Sequence, residues 1–492
     1  MKTLTRVHGR SLIATLAGVL LLAATFEAPA PPVVDAVRGN DHEALRALIA
    51  QGTDVDAREG DGSTALLWAS HQDDHVAARL LLDAGADPSS ANDLGATPVW
   101  AASMNSSPEM VQTLLTAGAD PDIALRSGET PLMIASRGGH PGVVRALLEH
   151  GAKPDARGPW GQTALMWAAG RGHSDAVVAL VEHGADVRIH SDERMNMMAH
   201  DPVAHPAHQR WFEYGGNSAL MFAARVGDLE SSRHLVAGGA DVNDLNAMGV
   251  SVLTMAVYAN FGDLRVGDNG VGSDGRTRYF LAGQDRFLGR YEDPGLVAFL
   301  LEQGADPNAG AGEFTGLHAA IMRQDEAAVE LLLQNGADPK LRLGAWTPER
   351  RLSYGDFYFH KAWVGAPPIW LAARFGTPRI LRLLVDHGAD PKVVHRGVYY
   401  GGGRGGAYSE RQEEVTTPLM ALLGMSRMGE AWVPEPPEAV REAQILEAAQ
   451  LMLDWGVDVH FADSNGRTAL DGARVLEYDS VIELLTAAAA DS

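Results

Sequence analysis

The sequence contains no cysteine in 492 residues. This absence excludes disulfide bonds, zinc sites built on thiolates and a lipid anchor on an N-terminal cysteine. Basic residues are scarce as well, with 40 Lys and Arg against 63 Asp and Glu and a formal net charge of −23. A surface of that sign repels phosphate, so we expect no nucleic-acid partner.

Long apolar runs are also missing, apart from a short one near the N-terminus. That run extends from Leu12 to Ala24, follows a basic start and precedes small residues at 28–30. It is shorter than the ~20 residues that a membrane-spanning helix needs, and its three parts are typical of a secretory signal peptide. We therefore expect a signal peptide over 1–30, export to the periplasm or the medium, and no membrane span in the mature chain. A signal retained as an uncleaved anchor is the alternative.

Most of the chain consists of an internal repeat. A Gly-x-Asp motif, with Lys once in place of Asp, recurs at Gly52, Gly85, Gly118, Gly151, Gly184, Gly239, Gly304, Gly336, Gly388 and Gly456. The first four intervals are 33 residues each. A second motif begins twelve residues after most of these glycines, as in "TALLWA" at Thr64 and "TPLMIA" at Thr130. A period of this length indicates stacked units of supersecondary structure.

Each unit is predicted to form two helices and a turn. Thr followed by Ala or Pro starts a short first helix, because the hydroxyl caps free backbone N–H groups and Pro is tolerated at the first position. Val143, Val144, Leu147 and Leu148 have the spacing of one face of a second helix, and Gly151 suits the left-handed residue that ends it. The Asp-Pro or Asp-Val segment that follows predicts a β-turn finger.

These motifs resemble the ankyrin repeat family, whose units carry Thr-Pro-Leu-His-x-Ala and Leu-Leu-x-x-Gly-Ala-Asp. The resemblance implies an all-α ankyrin-repeat solenoid, here of about eleven helix pairs with β-turn fingers and inserted loops. It also implies a non-catalytic scaffold that binds a protein or peptide. The family's histidine, which helps to tie the finger down by hydrogen bonding, remains in the motif only as His318.

Insertions divide the repeat array in two. Spacing is regular over 33–187, whereas 188–492 carries long insertions and a C-terminal cap. Three insertions extend fingers, at about 188–214, 341–363 and 393–413, and two separate helices, at about 262–292 and 425–442. Long loops on a regular scaffold are often functional, so we expect binding residues there.

The first insertion contains "HDPVAHPAH", with His200, Asp201, His205 and His208. Pro202 and Pro206 disfavour a helix, which leaves a loop in which these side chains could converge on zinc. A solvated loop without metal is the alternative, since the spacing matches no zinc motif. A metal- or small-ligand-binding envelope protein that uses the 188–214 and 393–413 loops is therefore the second functional hypothesis.

A row of residues near the end of each first helix predicts the binding groove. Its members are His71, Gln72, Met104, Arg137, Arg171, Arg225, Tyr258, Arg323, Arg374 and Phe375. Arginine is frequent at interface hot spots and forks onto carboxylates, so an acidic peptide or protein segment is a candidate occupant. In the alternative, each arginine pairs with an acid of a neighbouring finger.

No catalytic motif accompanies the repeats. The sequence has no nucleophile and base in a recognisable motif, no zinc-helix motif and no glycine-rich dinucleotide turn, and "YYGGGRGGAY" at 399–408 lacks the context of a phosphate loop. We expect no enzymatic activity, no cofactor and a monomeric chain.

Overall fold

The computed structural model describes residues 30–199, 209–257, 295–310, 314–344, 361–375, 377–401, 410–425 and 438–491. The chain divides into two compact units, unit 1 from Met1 to Arg126 and unit 2 from Ser127 to Ser492. The predicted signal peptide lies outside the described residues except for residue 30, as do most residues of the insertions at 262–292, 341–363 and 425–442.

Unit 1 contains three antiparallel helix pairs. Their ranges are α1 Pro32–Arg38 with α2 His42–Ala50, α3 Ala65–His71 with α4 His75–Asp83, and α5 Pro98–Met104 with α6 Pro108–Thr116.

Unit 2 continues the same pattern. Its helices are α7 Pro131–Gly138, α8 Pro141–Glu149, α9 Ala164–Ala169, α10 Ser174–Glu182, α11 Ala219–Val226, α12 Leu229–Ala237, α13 Val252–Val257, α14 Gly295–Glu302, α15 Gly316–Met322, α16 Glu326–Gln334, α17 Pro368–Phe375, α18 Pro378–Asp386, α19 Pro418–Leu422, α20 Glu438–Asp454, α21 Ala469–Leu476 and α22 Asp479–Asp491. The described residues thus hold 22 helices, which confirms the predicted stack of about eleven pairs. None of these helices is long and apolar enough to cross a membrane.

The first helix of each pair begins at the predicted Thr motif. In α7 the Oγ1 of Thr130 accepts a hydrogen bond from the N–H of Met133 at 3.3 Å, and Pro131 occupies the first turn. Leu132 and Ala135 are completely buried. These short helices form the centre of the stack, because small and aliphatic side chains allow neighbouring first helices to approach closely.

The second helices are amphipathic, as their spacing predicts. In α8, Val143, Val144 and Leu147 are fully buried, whereas Arg145 on the opposite face is exposed. Gly151 follows with a φ of 87°, a left-handed conformation that glycine adopts without steric cost.

Successive fingers are joined by side chains that bridge to the next backbone. Oδ1 of Asn308 accepts from the N–H of Asp338 at 2.8 Å, while its Nδ2 donates to the carbonyl of Gly336 at 2.9 Å. Asn243 makes the equivalent pair of bonds to Asp306 and Gly304. These bonds hold the fingers that begin at Gly304 and Gly336, and His318 adds a further bond to the second of them.

His318 ties its finger down as the resemblance implied. Its Nδ1 accepts from the N–H of Thr315 at 3.2 Å, and its Nε2 donates to the carbonyl of Leu341 at 2.9 Å. The ring is buried, and this burial lowers the pKa of His318 to about 4. The imidazole is therefore neutral at physiological pH, with the proton on Nε2.

Two of the finger extensions form β-hairpins, which the sequence analysis did not predict. The strand β1, Arg194–Ala199, pairs antiparallel with β2, Gln209–Tyr214, and β3, His395–Gly401, pairs with β4, Glu410–Thr416. Each pair satisfies the backbone groups that a long extension would otherwise leave to solvent. The tips of both hairpins, 200–208 and 402–409, lie outside the described residues.

Candidate functional site

A cavity of about 560 Å³ lies in unit 2, at the base of the first hairpin. Its lining combines aromatic rings with arginines. The lining residues are Trp160, Gln162, Met166, Trp167, Gly170, Arg171, Ser191, Asp192, Arg194, Tyr214, Gly215, Asn217, Phe222 and Arg225. They come from the finger before α9, the helices α9 and α11, and the two strands of the hairpin.

The base of the hairpin is fixed to the repeat scaffold. Ser191 and Asn217 exchange hydrogen bonds, from the N–H of Ser191 to the carbonyl of Asn217 and from the N–H of Asn217 to Oγ of Ser191, both at 3.0 Å. Gly215 has a φ of 103°, and a Cβ atom there would lie only 2.0 Å from the carbonyl oxygen of Asp192. Only glycine allows this approach, so the sequence sets one wall of the cavity.

Trp160 forms an exposed rim of the cavity in an unusual conformation. Its φ of 61° and ψ of 24° are left-handed, which costs a non-glycine residue about 1–2 kcal/mol. The carbonyl of Trp160 accepts from the N–H of Asp192 at 2.9 Å, and the guanidinium of Arg194 lies 5.8 Å from the indole centroid. The side chain is nevertheless 54% exposed. A large strained aromatic residue left in solvent is typical of a functional position.

Two of the predicted arginines, Arg171 and Arg225, line this cavity. Both are exposed, and neither forms an ion pair with any residue that the structure describes. The guanidinium of Arg225 lies 5.2 Å from the ring of Phe222, which holds it over the aromatic wall. The one acid in the lining, Asp192, is already paired with Arg157 at 2.9 Å. The cavity is therefore locally positive in a chain of net charge −23.

Arg137 pairs with an acid of a neighbouring finger, which was the alternative in the sequence analysis. Its Nη1 lies 2.6 Å from Oε1 of Glu129, an acid in the finger before its own helix. The guanidinium also lies 5.4 Å from the ring of Trp167. For Arg137 an internal finger acid is thus the partner, whereas Arg171 and Arg225 have none within the described residues.

The later members of the predicted row lie away from this cavity. Nη1 of Arg323 donates to the carbonyl of Val257. Arg374 lies over Phe375, with the guanidinium 5.1 Å from the ring. Phe375 itself is a correction to the predicted groove: it is only 8% exposed, because its ring packs edge-on against Trp363 at 5.0 Å. Tyr258 lies outside the described residues.

In unit 1 the predicted row is exposed. His71 contacts Trp68 edge-on at 6.0 Å, Gln72 donates to the carbonyl of Arg38 at 3.4 Å, and Met104 is 40% exposed. Arg38 belongs to the same row but was missed, because the first helix pair lacks the Thr motif. It pairs with Glu59 at 2.6 Å and stacks on Trp68 at 4.2 Å.

The metal hypothesis falls on residues that the structure does not describe, since His200, Asp201, His205 and His208 all lie in 200–208. Within the described residues, no three His, Asp or Glu side chains are grouped as metal ligands would be. The base of the second hairpin is structural. Buried His395 donates from Nε2 to the carbonyl of Ala362 at 2.6 Å, and burial lowers its pKa.

Sequence reasoning missed the aromatic half of the cavity. Trp160 stands directly before Gly161, where the three earlier fingers have Asp61, Leu94 and Ser127 before their own glycines. Alignment of the finger tips alone would have singled out this tryptophan. Tyr214 and Arg194 could not have been found in that way, because the hairpin brings them to the cavity through pairing at Arg194↔Tyr214.

Comparisons with known proteins agree with the repeat pattern. The family model "Ankyrin repeats (3 copies)" matches residues 33–124, 121–191 and 289–395, and the model "Ankyrin repeat" matches 215–247. Among solved structures, the human ASB11 ankyrin repeat domain is 27% identical, with a TM-score of 0.37. That match covers 46% of this chain and 91% of the ASB11 chain. No curated protein matches the sequence.

Ankyrin repeats generally mediate protein–protein interactions and are typically non-catalytic. The two family models together match most of the chain, on both sides of the first hairpin. The chain belongs to the ankyrin repeat family.

Proposed function

We propose that this protein is an exported, non-catalytic scaffold that binds a protein or peptide partner with acidic character. The partner contacts the concave groove, the fingers and the inserted extensions of unit 2. One observation carries the proposal: a preformed cavity in which Arg171 and Arg225, both without an ion-pair partner among the described residues, lie beside the exposed Trp160.

The mechanism is rigid presentation. The cavity walls belong to packed helices and to a hairpin base held by backbone hydrogen bonds, so few side chains need to be ordered on docking. Such preorganisation lowers the entropic cost of association. Tryptophan and arginine are also the residue types that most often dominate binding energy at protein interfaces.

Site-specific photo-cross-linking tests the proposal. Trp160 is replaced by benzoyl-phenylalanine in the full chain, and Val475, which is 82% exposed on the last helix pair, carries the same group in a control. Irradiation in the producing cells should join one partner at position 160 and not at position 475. Identical product patterns at the two positions would contradict a binding site at the cavity.

Export and monomeric state are part of the same proposal and rest on the sequence of residues 1–30 and on the repeat architecture. Cell fractionation with N-terminal sequencing should find the protein outside the cytoplasm, beginning after residue 24 and by about residue 30. Sedimentation velocity of the mature chain should give a single species with a monomer's mass. A cytoplasmic chain that retains Met1 would contradict the export.

A further inference from the structure

The charged and aromatic side chains that line the cavity at the first hairpin indicate which chemical groups the partner presents to it. We infer that it binds an extended peptide segment in which an acidic side chain is adjacent to an aromatic one, with the carboxylate on Arg171 and Arg225 and the ring against Trp160. The inference rests on the proposed function and identifies the partner's binding motif.

The charge of the cavity determines the first half of the motif. Three arginines line it, Arg171, Arg194 and Arg225, against a single acid, Asp192, whose carboxylate already has Arg157 at 2.9 Å. Arginine presents its N–H groups as a fork that matches a carboxylate. A polyanion such as a nucleic acid is disfavoured by Asp192 and by the net charge of −23 outside the cavity.

The row of arginines itself provides an internal comparison. Arg38 in unit 1 and Arg137 in unit 2 lie at the end of first helices, and each has a glutamate of its own chain at 2.6 Å. Arg171 and Arg225 occupy the same region of their repeats, yet no described acid pairs with them. A carboxylate of the partner would give Arg171 and Arg225 the kind of ion pair that Arg38 and Arg137 form within the chain.

The aromatic wall determines the second half of the motif. Trp160, Trp167, Tyr214 and Phe222 all border the cavity, and aromatic pairs gain energy beyond the area that they bury. The guanidinium of Arg225 lies over Phe222 and that of Arg194 over Trp160. Cations and rings therefore alternate in the lining, which favours a ligand that offers a carboxylate and a ring side by side.

The size and opening of the cavity favour a peptide over a free small molecule. About 560 Å³ falls within the roughly 300–1,000 Å³ typical of ligand sites, but Trp160 keeps 54% of its surface in solvent at the rim. A small ligand inside the cavity would leave that indole uncovered. A peptide crossing the rim would bury it.

Four unlabelled peptides of one length test the inference on the full mature chain by titration calorimetry. Their central residues are Glu-Phe-Glu, Gln-Phe-Gln, Glu-Ala-Glu and Lys-Phe-Lys, within an otherwise identical Gly-Ser sequence. The first should bind at least tenfold more tightly than each of the others. The variant R171E/R225E should lose this preference, whereas R145E, which reverses an exposed arginine on α8 outside the cavity, should keep it.

Each contrary result has a defined meaning. Equal affinity for the Glu-Phe-Glu and Gln-Phe-Gln peptides would overturn the role of the carboxylate, and unchanged binding by R171E/R225E would overturn the assignment of the arginines. Competition by free phenylacetate at the affinity of the peptide would overturn the peptide as ligand. If no peptide binds while position 160 still cross-links a partner, the motif is wrong and the scaffold function stands. If both fail, the proposed function fails with it.

Discussion

Acidification should loosen the finger that His318 holds. Its side chain is 1% exposed, and Nε2 donates a hydrogen bond to the carbonyl of Leu341. Folding therefore favours the neutral imidazole over the protonated one. Burial lowers its pKa from 6.5 to about 4. Between pH 6.5 and pH 4 the unfolded segment binds a proton at His318 and the folded segment does not. The free energy of unfolding is therefore highest above about pH 6.5 and falls as the pH drops toward 4.

The magnitude follows from the two pKa values. Between pH 7.5 and pH 5.0, the free energy of unfolding of this segment falls by about 2 kcal/mol, and the full loss below pH 4 approaches about 3 kcal/mol. Hydrogen–deuterium exchange of peptides within 314–344, corrected for the intrinsic effect of pH, reports the opening free energy of this segment directly.

The wild type is compared with H318L and with H387Q, a control at an exposed histidine that precedes a Gly-x-Asp motif. We expect the opening free energy of 314–344 to fall by about 2 kcal/mol from pH 7.5 to 5.0 in the wild type and in H387Q. In H318L the pH-dependent part should vanish, although the segment is less stable at both pH values. An equal fall in H318L would refute the assignment to His318.

Three further predictions concern single side chains. R137E should lower the free energy of unfolding by about 1 kcal/mol in urea titrations, because it places a carboxylate beside Glu129, while an unchanged value would mean that the ion pair is not structural. N308A should cost about 1 kcal/mol, and N308D less, since aspartate still accepts from the N–H of Asp338; equal losses would contradict that bond as the main one. W160G should raise the melting temperature by relieving the left-handed strain and yet weaken binding of the Glu-Phe-Glu peptide, whereas a lower melting temperature would show that the indole is structural.

The regular elements were predictable because their causes are local. The cap at Thr130 and the left-handed Gly151 each depend on a few consecutive residues. The same motifs recur every 33 residues in the regular part of the chain, so the same helices are predicted in each repeat. The bridge made by Asn308 was not predicted, because it joins residues that are 28 and 30 positions apart in the chain. The helices of the stack therefore followed from the sequence.

The site was predictable only in part, because its properties depend on residues brought together by the fold. Arg171 and Arg225 were predicted from their place in the repeat, but the lack of an acid paired with them among the described residues, and the pairing of Arg137 with Glu129, required the positions of side chains in space. Phe375 was placed in the groove because its burial by Trp363 could not be predicted. Trp363 belongs to the insertion at 341–363, and the repeat pattern does not predict the structure of an insertion.

Whether the cavity recognises a partner is decided by the affinity of the captured partner for three forms of the protein. Titration calorimetry with the protein cross-linked at position 160, purified separately, would compare the wild type, R171E/R225E and R145E. We expect R171E/R225E to bind the partner at least tenfold more weakly than the wild type, R145E to bind it with wild-type affinity, and both variants to keep the wild-type melting curve. Equal affinity of all three forms would contradict recognition by the cavity.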